Sequence, residues 1–341
     1  MDDKSNINSA PIPVHRVAVV RPFTRFLTDI GAPVERHFRQ AGLPWCALEN
    51  VNNFVPSHRF WKFLINMAHS EGILDLGFHV GDNFGADCAD PRMTELLTSA
   101  PTLYQGLLNA SELINRTITH CRVGILQPPN CGYAYFYHQP SCEADNPAIE
   151  QIGWFGLTVL LDMVHVYSGP QWQPAEIGVM TNHMPCRSIR ERFPNTRVKL
   201  SQAASYIALD NAMLSLSPLR DRAAATESAS FDYDPLPDDF VSSLEQVLMS
   251  YIQESDLNLE IVAGLCNTSR RTLQRKLKAS ETCYRDVLDH ARFRVATRLL
   301  SKPDMKITDI ARHLGYSEVS HFARTFRRIA GVGPKVYRDA L

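Results

Sequence analysis

Two groups of polar and basic side chains near the C-terminus recur at the spacing of a helix face. They are Arg271, Gln274, Arg275 and Lys278 in one group, and His321, Arg324 and Arg327 in the other. Residues three and four apart are neighbours on one side of an α-helix. An arginine on such a face can donate two hydrogen bonds to the acceptors of a guanine edge, or to a phosphate. The spacing therefore indicates two cationic faces suited to hydrogen bonding with nucleic acid.

Apolar residues fill the complementary positions, and a short apolar helix is predicted before each face. The predicted core residues are Ala263, Leu265, Leu273 and Leu277 in the first copy, and Ala311, Leu314, Phe322 and Phe326 in the second. Ser269 and Ser317 stand at the expected starts of the second helices, where a serine hydroxyl can accept from a free backbone amide. Residues 257–277 and 305–326 therefore each predict a helix-turn-helix.

A longer helix is predicted between the two copies, from Thr282 to Leu300, and Ser301-Lys302-Pro303 ends it. Its predicted apolar stripe consists of Tyr284, Leu288, Ala291, Val295 and Leu299. Such a helix would act as a spacer. Two recognition helices set about one duplex turn apart, roughly 34 Å, enter successive major grooves on one side of DNA.

Three motifs together resemble the AraC/XylS family of transcription regulators. They are the duplicated pattern, the run DIARHLGYSEVSHFARTFRR at 309–328 and the closing GVGPKVYR at 331–338. The resemblance implies two helix-turn-helix subdomains joined by a long helix, with base-reading arginines at Arg275 and Arg324. Val319 and Ala323 depart from a polar reading face, so the second copy is expected to contact fewer bases.

Specific contacts to DNA are predicted on this basis, although exposed charges on a helix are also compatible with a merely solvated face. Base contacts are predicted for Arg271, Gln274, Arg275, His321 and Arg324. Phosphate contacts are predicted for Ser269, Lys278, Ser317, Arg327 and Arg328.

Charge is divided unevenly along the chain. The whole protein has a net charge of −1, which by itself indicates nothing about nucleic acid. Residues 258–341 contain 17 lysines and arginines against 8 acidic residues, a net charge of +9, whereas residues 1–257 contain 18 against 28, or −10. A basic segment attracts phosphates and releases counterions, and an acidic one is not expected to bind DNA alone.

The length of 341 residues allows two or three domains at roughly 100–200 residues each. We predict a disordered tail over 1–13, an α+β domain over 14–217, a polar, proline-bearing linker over 218–239 and a DNA-binding domain over 240–341. The predicted fold is mainly α and multi-domain. It combines an N-terminal α+β domain containing a small β-sheet with a C-terminal all-α domain of two helix-turn-helix subdomains joined by a long helix.

The pattern of residues 14–217 changes from helical to alternating near Cys121. Helices are predicted at Arg16–Ile30, Val34–Gln40, from Ser57 to Gly72, Leu76–Phe84, Ser99–Ile118, Ala148–Tyr167 and Cys186–Phe193, and strands at Arg122–Gln127, Gly132–Gln139, Glu176–Asn182, Val198–Leu200 and Tyr206–Leu209. The second strand places three tyrosines on one face and Ala134, Phe136 and His138 on the other. Residues 76–114, with the hairpin after them, resemble the ligand-binding and dimerisation domain of one branch of the same family.

Candidate effector contacts in this region are basic or aromatic. Arg59, Arg92 and Arg122 are suited to a carboxylate or phosphate, and Trp61 and Tyr135 to an apolar or aromatic effector; core aromatics and solvated arginines are the alternative. His120 and Cys121, near Cys131 and His138, are the nearest approach to a metal site. Because side chains alternate across strands, these residues are not expected to converge. Eight cysteines without a CxxC pair indicate no disulfide framework. We expect no metal, cofactor or catalytic site.

The predicted function is a sequence-specific transcription regulator, with activation preferred and repression left open, controlled by a small-molecule effector or by dimerisation. Its expected partners are double-stranded promoter DNA, an effector, RNA polymerase and a second copy of the chain. The alternatives are a regulator controlled by another protein, a DNA-compacting protein, and a DNA-repair enzyme carrying the same module. No signal-peptide pattern opens the sequence, and the apolar run at 154–167 is too short for a membrane span, so we expect a cytoplasmic location.

Overall fold

A computed structural model describes residues 10–88, 90, 92–119, 121–141, 146–219, 234–254 and 257–341. Contacts divide the chain into two compact units. We call residues 18–41 and 59–236 the sheet unit, and residues 1–17, 42–58 and 237–341 the C-terminal unit. The chain therefore passes from one unit to the other four times.

The helices and strands of the described residues follow the predicted order, with additions. The helices are α1 (Val17–Asp29), α2 (Val34–Gln40), α3 (Ser57–Ser70), α4 (Leu76–Phe84), α5 (Met93–Ser99), α6 (Leu103–Thr117), α7 (Ile149–Ser168), α8 (Arg187–Arg192), α9 (Phe240–Tyr251), α10 (Leu259–Leu265), α11 (Arg270–Ala279), α12 (Tyr284–Leu300), α13 (Ile307–His313), α14 (Val319–Ala330) and α15 (Pro334–Asp339). The strands are β1 (Val14–Arg16), β2 (Phe54–Pro56), β3 (Cys121–Leu126), β4 (Tyr133–Pro140), β5 (Glu176–Gly178), β6 (Arg197–Lys199) and β7 (Ser205–Asp210). Short 3-10 helices lie at Trp45–Glu49, Gly85–Cys88 and Asn211–Ser215.

The sheet unit is built on five strands in the order β3-β4-β7-β5-β6, in which only the β5–β6 pair is parallel. The predicted hairpin is therefore one side of a larger sheet. Along β4 the side chains alternate as predicted: Ala134, Phe136 and His138 are buried, whereas Tyr133 is exposed on the opposite face. The mainly helical fold with a small N-terminal sheet is confirmed.

Helix α7 packs against the sheet and against α4. A Cβ added to Gly77 of α4 would lie 1.9 Å from the carbonyl oxygen of Gln151, so glycine is required for this close crossing. The Gln151 side chain accepts from the backbone nitrogen of Gly77 at 2.8 Å. Helix α7 is long and apolar enough to cross a membrane, yet 72% of its most apolar stretch is buried inside the protein, as in a core helix.

His138 is a core residue between the sheet and α7. Its Nε2 lies 3.2 Å from the carbonyl oxygen of Gly153, and burial lowers its pKa to about 4, so the ring is neutral. Its Nδ1 lies 3.7 Å from the Cys121 sulfur, but Cys131 contacts Tyr135, whose side chain is on the other face of β4. His120 lies outside the described residues.

The C-terminal unit includes two stretches from the N-terminal part of the chain. We call residues 10–17 and 42–58 the N-terminal strap; β1 and β2 pair within it as antiparallel strands. The strap binds α9 through buried serines. The backbone nitrogens of Ile12 and Phe54 donate to Ser243 at 2.8 Å and Ser250 at 3.2 Å, respectively, and the Tyr251 hydroxyl donates to the Gly42 carbonyl at 2.8 Å.

These contacts differ from the predicted disordered tail at 1–13. Ile12 is 4% exposed, because its side chain is apolar, and its backbone nitrogen is hydrogen-bonded to Ser243. Residues 1–9 of the predicted tail lie outside the described residues. Contacts also group residues 42–58 with the C-terminal helices, whereas the sequence assigned them to the N-terminal domain. The limits 14–217 and 240–341 for folding domains stay a prediction.

The predicted linker at 218–239 lies mostly outside the described residues, which omit 220–233. At its start the backbone nitrogen of Leu219 donates to the Val166 carbonyl at 3.1 Å. At its end Asp239 caps α9, because its carboxylate accepts from the Ser242 nitrogen at 2.6 Å while the Ser242 hydroxyl accepts from the Asp239 nitrogen. This pair of bonds is a capping box, which fixes where the helix begins.

Helix α12 has 17 residues and is therefore about 26 Å long. It contacts α9, α13, α14 and α15. The single apolar stripe predicted for this helix omits several of its buried residues, because neighbouring helices cover more than one of its sides. Its buried residues are Val287, Asp289, Ala291, Ala296, Leu299 and Leu300, while the predicted Leu288 and Val295 are half-buried.

Candidate nucleic-acid interface

The first helix-turn-helix consists of α10 and α11. Asn258 caps α10 by accepting from two backbone nitrogens of the first turn, and Asn267 has φ of 48° in the turn between the helices. Asparagine is among the few residues that adopt this left-handed conformation at low cost. Ser269 then caps α11, accepting from the Thr272 nitrogen at 3.2 Å. The predicted cap at Ser269 is thus confirmed.

The buried side of this copy matches the sequence pattern. Ala263, Leu265, Leu273 and Leu277 are each at most 2% exposed. Because Leu273 and Leu277 occupy one side of α11, the polar residues one and two positions away from them lie on the opposite side and face solvent.

The exposed side of α11 carries the first predicted reading face. Arg271, Gln274, Arg275 and Lys278 are all exposed. Among the residues that the structure describes, none forms an ion pair with the three cations of this set. Their donors are therefore not committed to carboxylates of those residues.

The second helix-turn-helix consists of α13 and α14, and its core residues Ala311, Leu314, Phe322 and Phe326 are at most 2% exposed. Ser317 does not cap α14. The helix begins after Glu318, and no side chain accepts from its first-turn amides. The spacing explains the difference: Ser269 precedes its first buried helix residue by four positions, whereas Ser317 precedes Phe322 by five. Glu318 occupies the place that corresponds to Ser269.

Aromatic side chains hold α14 in place. The Phe326 ring lies 4.9 Å from Phe293 of α12, 5.8 Å from Phe322 and 5.3 Å from Tyr337 of α15, measured between ring centres. Such tilted and edge-to-face pairs add to the stabilisation that burial alone supplies. The second recognition helix is consequently fixed to both α12 and α15.

The exposed side of α14 carries fewer polar groups than that of α11. His321, Arg324 and Arg327 are exposed as predicted, but Val319 is exposed too, at 38%. The His321 ring packs edge-on against Tyr316 at 5.3 Å between ring centres. This contact restricts the orientation of the imidazole that was predicted to read a base.

Arg328 lies in a different setting from the other basic residues of the recognition helices. Its Nη2 donates to Asp289 at 2.6 Å, and its Nη1 lies 3.8 Å from Asp286, both on α12. The predicted phosphate contact of Arg328 would have to compete with these carboxylates. The sequence pattern missed the pair because Asp289 and Arg328 are 39 positions apart, and only the i, i+3 spacing of Asp286 and Asp289 hints at a common face.

The predicted effector residues lie at separate places in the sheet unit. Arg59 and Trp61 belong to α3, and Arg92, just before α5, is bonded to Asp90 through three nitrogens. Arg122 of β3 is paired with Gln139 of β4, and Tyr135 of β4 is paired with Leu126 of β3, so the two lie on the same face of the sheet. They are four residues apart in register and are therefore not neighbours, and the effector contacts stay predictions.

A cavity of about 530 Å³ lies in the described part of the sheet unit and is lined by residues other than those predicted. Its lining includes Ile149, Glu150, Met180, Thr181, His183 and Gln202. None of the five predicted effector residues lines this cavity.

Comparison with known proteins supports the assignment of the C-terminal region. Residues 262–340 match a family described as "Helix-turn-helix domain". The chain is 31% identical over 98 residues to the transcriptional activator NphR of Rhodococcus sp, covering 29% of each chain. It is 39% identical over 83 residues to the ornithine utilization regulator of Pseudomonas aeruginosa, covering 24% of each. The matched segments thus span less than a third of these relatives.

A solved structure, the transcriptional regulator CdpR from Pseudomonas aeruginosa, covers 94% of this chain and 97% of its own, at 18% identity and a TM-score of 0.40. The duplicated helices, their buried alanines and the matched residues confirm the resemblance noted in the sequence. The C-terminal region of this chain therefore carries a helix-turn-helix domain of the AraC type.

Proposed function

We propose that this protein is a sequence-specific DNA-binding transcription regulator. One observation carries the proposal: two helices with exposed basic faces, α11 and α14, are attached to a single connecting helix. The net charge of +9 over residues 258–341 supports it, because clustered lysine and arginine release counterions from DNA.

The exposed residues divide into two proposed roles. Arg275 and Arg324 follow the same distance after Leu273 and Phe322, so they extend from equivalent places in the two copies and are the proposed base readers. Arg271, Gln274 and His321 flank them as further base contacts. Lys278 and Arg327 lie nearer the C-terminal ends and are proposed to contact phosphates, as are the hydroxyls of Ser269 and Ser317.

The test is selection of bound sequences from a random double-stranded DNA library by the full-length protein. A regulator of this kind enriches one motif with two half-sites, and binding to that motif survives competition by random DNA. The double substitution Arg275→Ala with Arg324→Ala should abolish enrichment. Arg116→Ala with Arg187→Ala removes the same charge from the sheet unit and serves as the control.

Two outcomes would oppose the proposal. Enrichment of no motif by folded protein would indicate a DNA-compacting role, in which binding has no sequence preference. Equal loss of enrichment in the control variant would show that charge alone, rather than the recognition helices, determines binding.

Control by the sheet unit is part of the proposal. We infer that a small molecule or a second copy of the chain binds this unit and changes the affinity for promoter DNA or the contact with RNA polymerase, and that the usual outcome is activation. The cavity of about 530 Å³ supports an effector, since small-molecule sites are commonly about 300–1,000 Å³ in volume. The relative NphR is itself named a transcriptional activator.

Effector control can be measured with the full-length protein. A thermal-shift screen of metabolites should yield a stabilising compound, and saturating operator DNA must then change the affinity for that compound by the same factor as the compound changes operator affinity. Titrations with equal affinities would leave polymerase contact as the controlled step. A screen without any stabilising compound would favour control by another protein.

The alternative of a DNA-repair enzyme receives no support from two of the thiols, those of Cys46 and Cys266. Burial raises the pKa of Cys46 to about 11 and that of Cys266 to about 12, which keeps both protonated at neutral pH. A nucleophilic cysteine needs the thiolate form. Among the described residues, no group of three or more histidine, cysteine or acidic side chains is placed to hold a metal ion.

A further inference from the structure

We propose that the ion pair between Arg328 and Asp289 is a positioning device that sets the orientation of α14 on α12, and hence the half-site spacing that the protein accepts. This inference rests on the proposed function, because it concerns how the second recognition helix is presented to DNA. Neither residue needs to contact a base for the pair to affect which operator is bound.

The geometry of the pair is that of a structural bond. The Arg328 Nη2 donates to an Asp289 oxygen at 2.6 Å, and the Asp289 side chain is only 9% exposed. Asp286, one helical turn earlier on α12, lies 3.8 Å from the other terminal nitrogen. The guanidinium is thus held by two carboxylates on one face of a single helix. A buried aspartate that lost this partner would keep an uncompensated charge.

The ion pair constrains the orientation of α14 in a way that the neighbouring aromatic contact does not. The Phe326 and Phe293 rings fix how closely α14 approaches α12, at 4.9 Å between ring centres. A further ring contact, from Phe326 to Tyr337, attaches α14 to α15, but burial of apolar surface is itself non-directional. The charge-assisted bond from Arg328, two residues further along, adds a constraint on the orientation of α14 because it requires both distance and angle.

The other exposed cations of the recognition helices lack such a bond. Among the described residues, no carboxylate pairs with Arg275, Arg324 or Arg327. Arg328 therefore contributes little free positive charge to DNA, and its function differs from that of its neighbours. Asp289 places a negative charge inside a basic unit, which opposes DNA binding unless the residue has a structural task.

The sign of one mutational effect separates the two roles. If Arg328 were a phosphate contact restrained by Asp289, then Asp289→Asn would release it and remove a negative charge, so every DNA would be bound more tightly. If the pair positions α14, the same substitution weakens binding to a two-half-site operator. The two interpretations predict opposite changes.

The experiment uses the full-length protein and the operator that the wild type selects from a random library. Affinity is measured for that operator and for derivatives with one base pair inserted or deleted between the half-sites. Asp289→Asn should bind the selected operator on the order of tenfold more weakly, equivalent to about 1.4 kcal/mol, and should discriminate less between spacings. Asp304→Asn removes an exposed acid from the same unit and is the matched control, with unchanged spacing preference.

A second variant covers the case in which Asp289→Asn fails to fold. Arg328→Gln changes a side chain that is 57% exposed, and it should relax the spacing preference without altering the salt dependence of binding. Loss of a phosphate contact would instead lower the slope of log affinity against log salt by about 0.9 on all sequences.

The results can overturn the proposed function and the positioning role of the ion pair separately. A wild type that selects no sequence overturns the proposed function. A wild type that selects an operator, together with variants that keep its affinity and spacing preference or bind more tightly, overturns the positioning role alone.

Discussion

The two helix-turn-helix copies share a plan but hold their recognition helices by different means. Helix α11 begins at a serine cap and contacts α9 through Lys276, whose ammonium lies 4.6 Å from the centre of the Phe240 ring. Helix α14 lacks a side-chain cap and contacts α12 through Phe326 and Arg328. The first is thus anchored by buried leucines, a side-chain cap and a cation–π contact, the second by contacts between aromatic rings and an ion pair.

The exposed faces differ as well. On α11 polar and basic residues follow one another, whereas Val319 and Ala323 interrupt the corresponding face of α14. Apolar side chains cannot hydrogen-bond to a base edge, so α14 offers fewer donors. We infer that the first copy supplies most of the sequence preference and the second most of the placement on DNA.

The largest expected effect tests the aromatic anchor. Phe326→Ala should lower the free energy of unfolding of the C-terminal unit by about 3–5 kcal/mol, because the ring leaves a cavity among Phe293, Phe322 and Tyr337. Leu277→Ala, the equivalent change in the first copy, should have a smaller effect. Hydrogen exchange of α14 and α11 peptides at increasing urea measures both. Equal losses would remove the proposed difference in anchoring.

Base reading gives the next largest effect. Arg275→Ala should weaken binding to the selected operator by about 1–3 kcal/mol and relax the preference at one base pair. Arg324→Ala should cost less, and Lys278→Ala should weaken all sequences alike. Preference matrices from sequencing of bound DNA distinguish these results. An unchanged matrix for Arg275→Ala would take this residue off the reading face.

The turns differ in how they reach the left-handed conformation. Gly315 has φ of 76°, and Gly315→Ala should destabilise the second copy by about 1–2 kcal/mol. At the equivalent turn, Asn267→Gly should change stability little, since asparagine already tolerates φ of 48°. Thermal unfolding of both variants provides the measurement, and a large loss in Asn267→Gly would point to a side-chain role for that residue.

The smallest effect concerns the caps. Ser269→Ala should destabilise α11 by about 1 kcal/mol because an amide of the first turn loses its acceptor. Ser317→Ala should stay within about 0.5 kcal/mol, as expected of an exposed residue without such a bond. Amide exchange at the first turns of α11 and α14 reports each directly. Comparable losses at both serines would contradict the conclusion that Ser317 lies one residue too early to cap α14.

Most of the C-terminal architecture was predictable because local periodicity determines it. The buried alanines, the paired apolar residues and the cap at Ser269 follow from spacings of three to six residues, and the structure agrees. The alternation along β4 was predictable for the same reason. The start of α14 could also have been predicted by counting four positions back from Phe322, which gives Glu318 rather than Ser317 as the residue before the helix.

Contacts between distant segments were not predictable from these patterns. No periodicity relates Arg328 to Asp289, or Ile12 to Ser243, which is 231 positions away. The three-residue strands β1 and β2 are too short to show alternation. The five-stranded sheet depends on pairings among β4, β7 and β5 that hairpin signals do not encode.

The N-terminal strap has a consequence for how the protein responds to cleavage. A protease that cuts between residues 219 and 234 would divide the backbone, but the N-terminal fragment would still contain the strap that binds α9 through Ser243, Ser250 and Tyr251. The two pieces are therefore expected to remain associated after nicking and to reassemble when expressed separately, as a split protein does. Conversely, a C-terminal fragment made alone would expose the serine-bearing side of α9 and should be less stable and more prone to aggregate than the nicked protein.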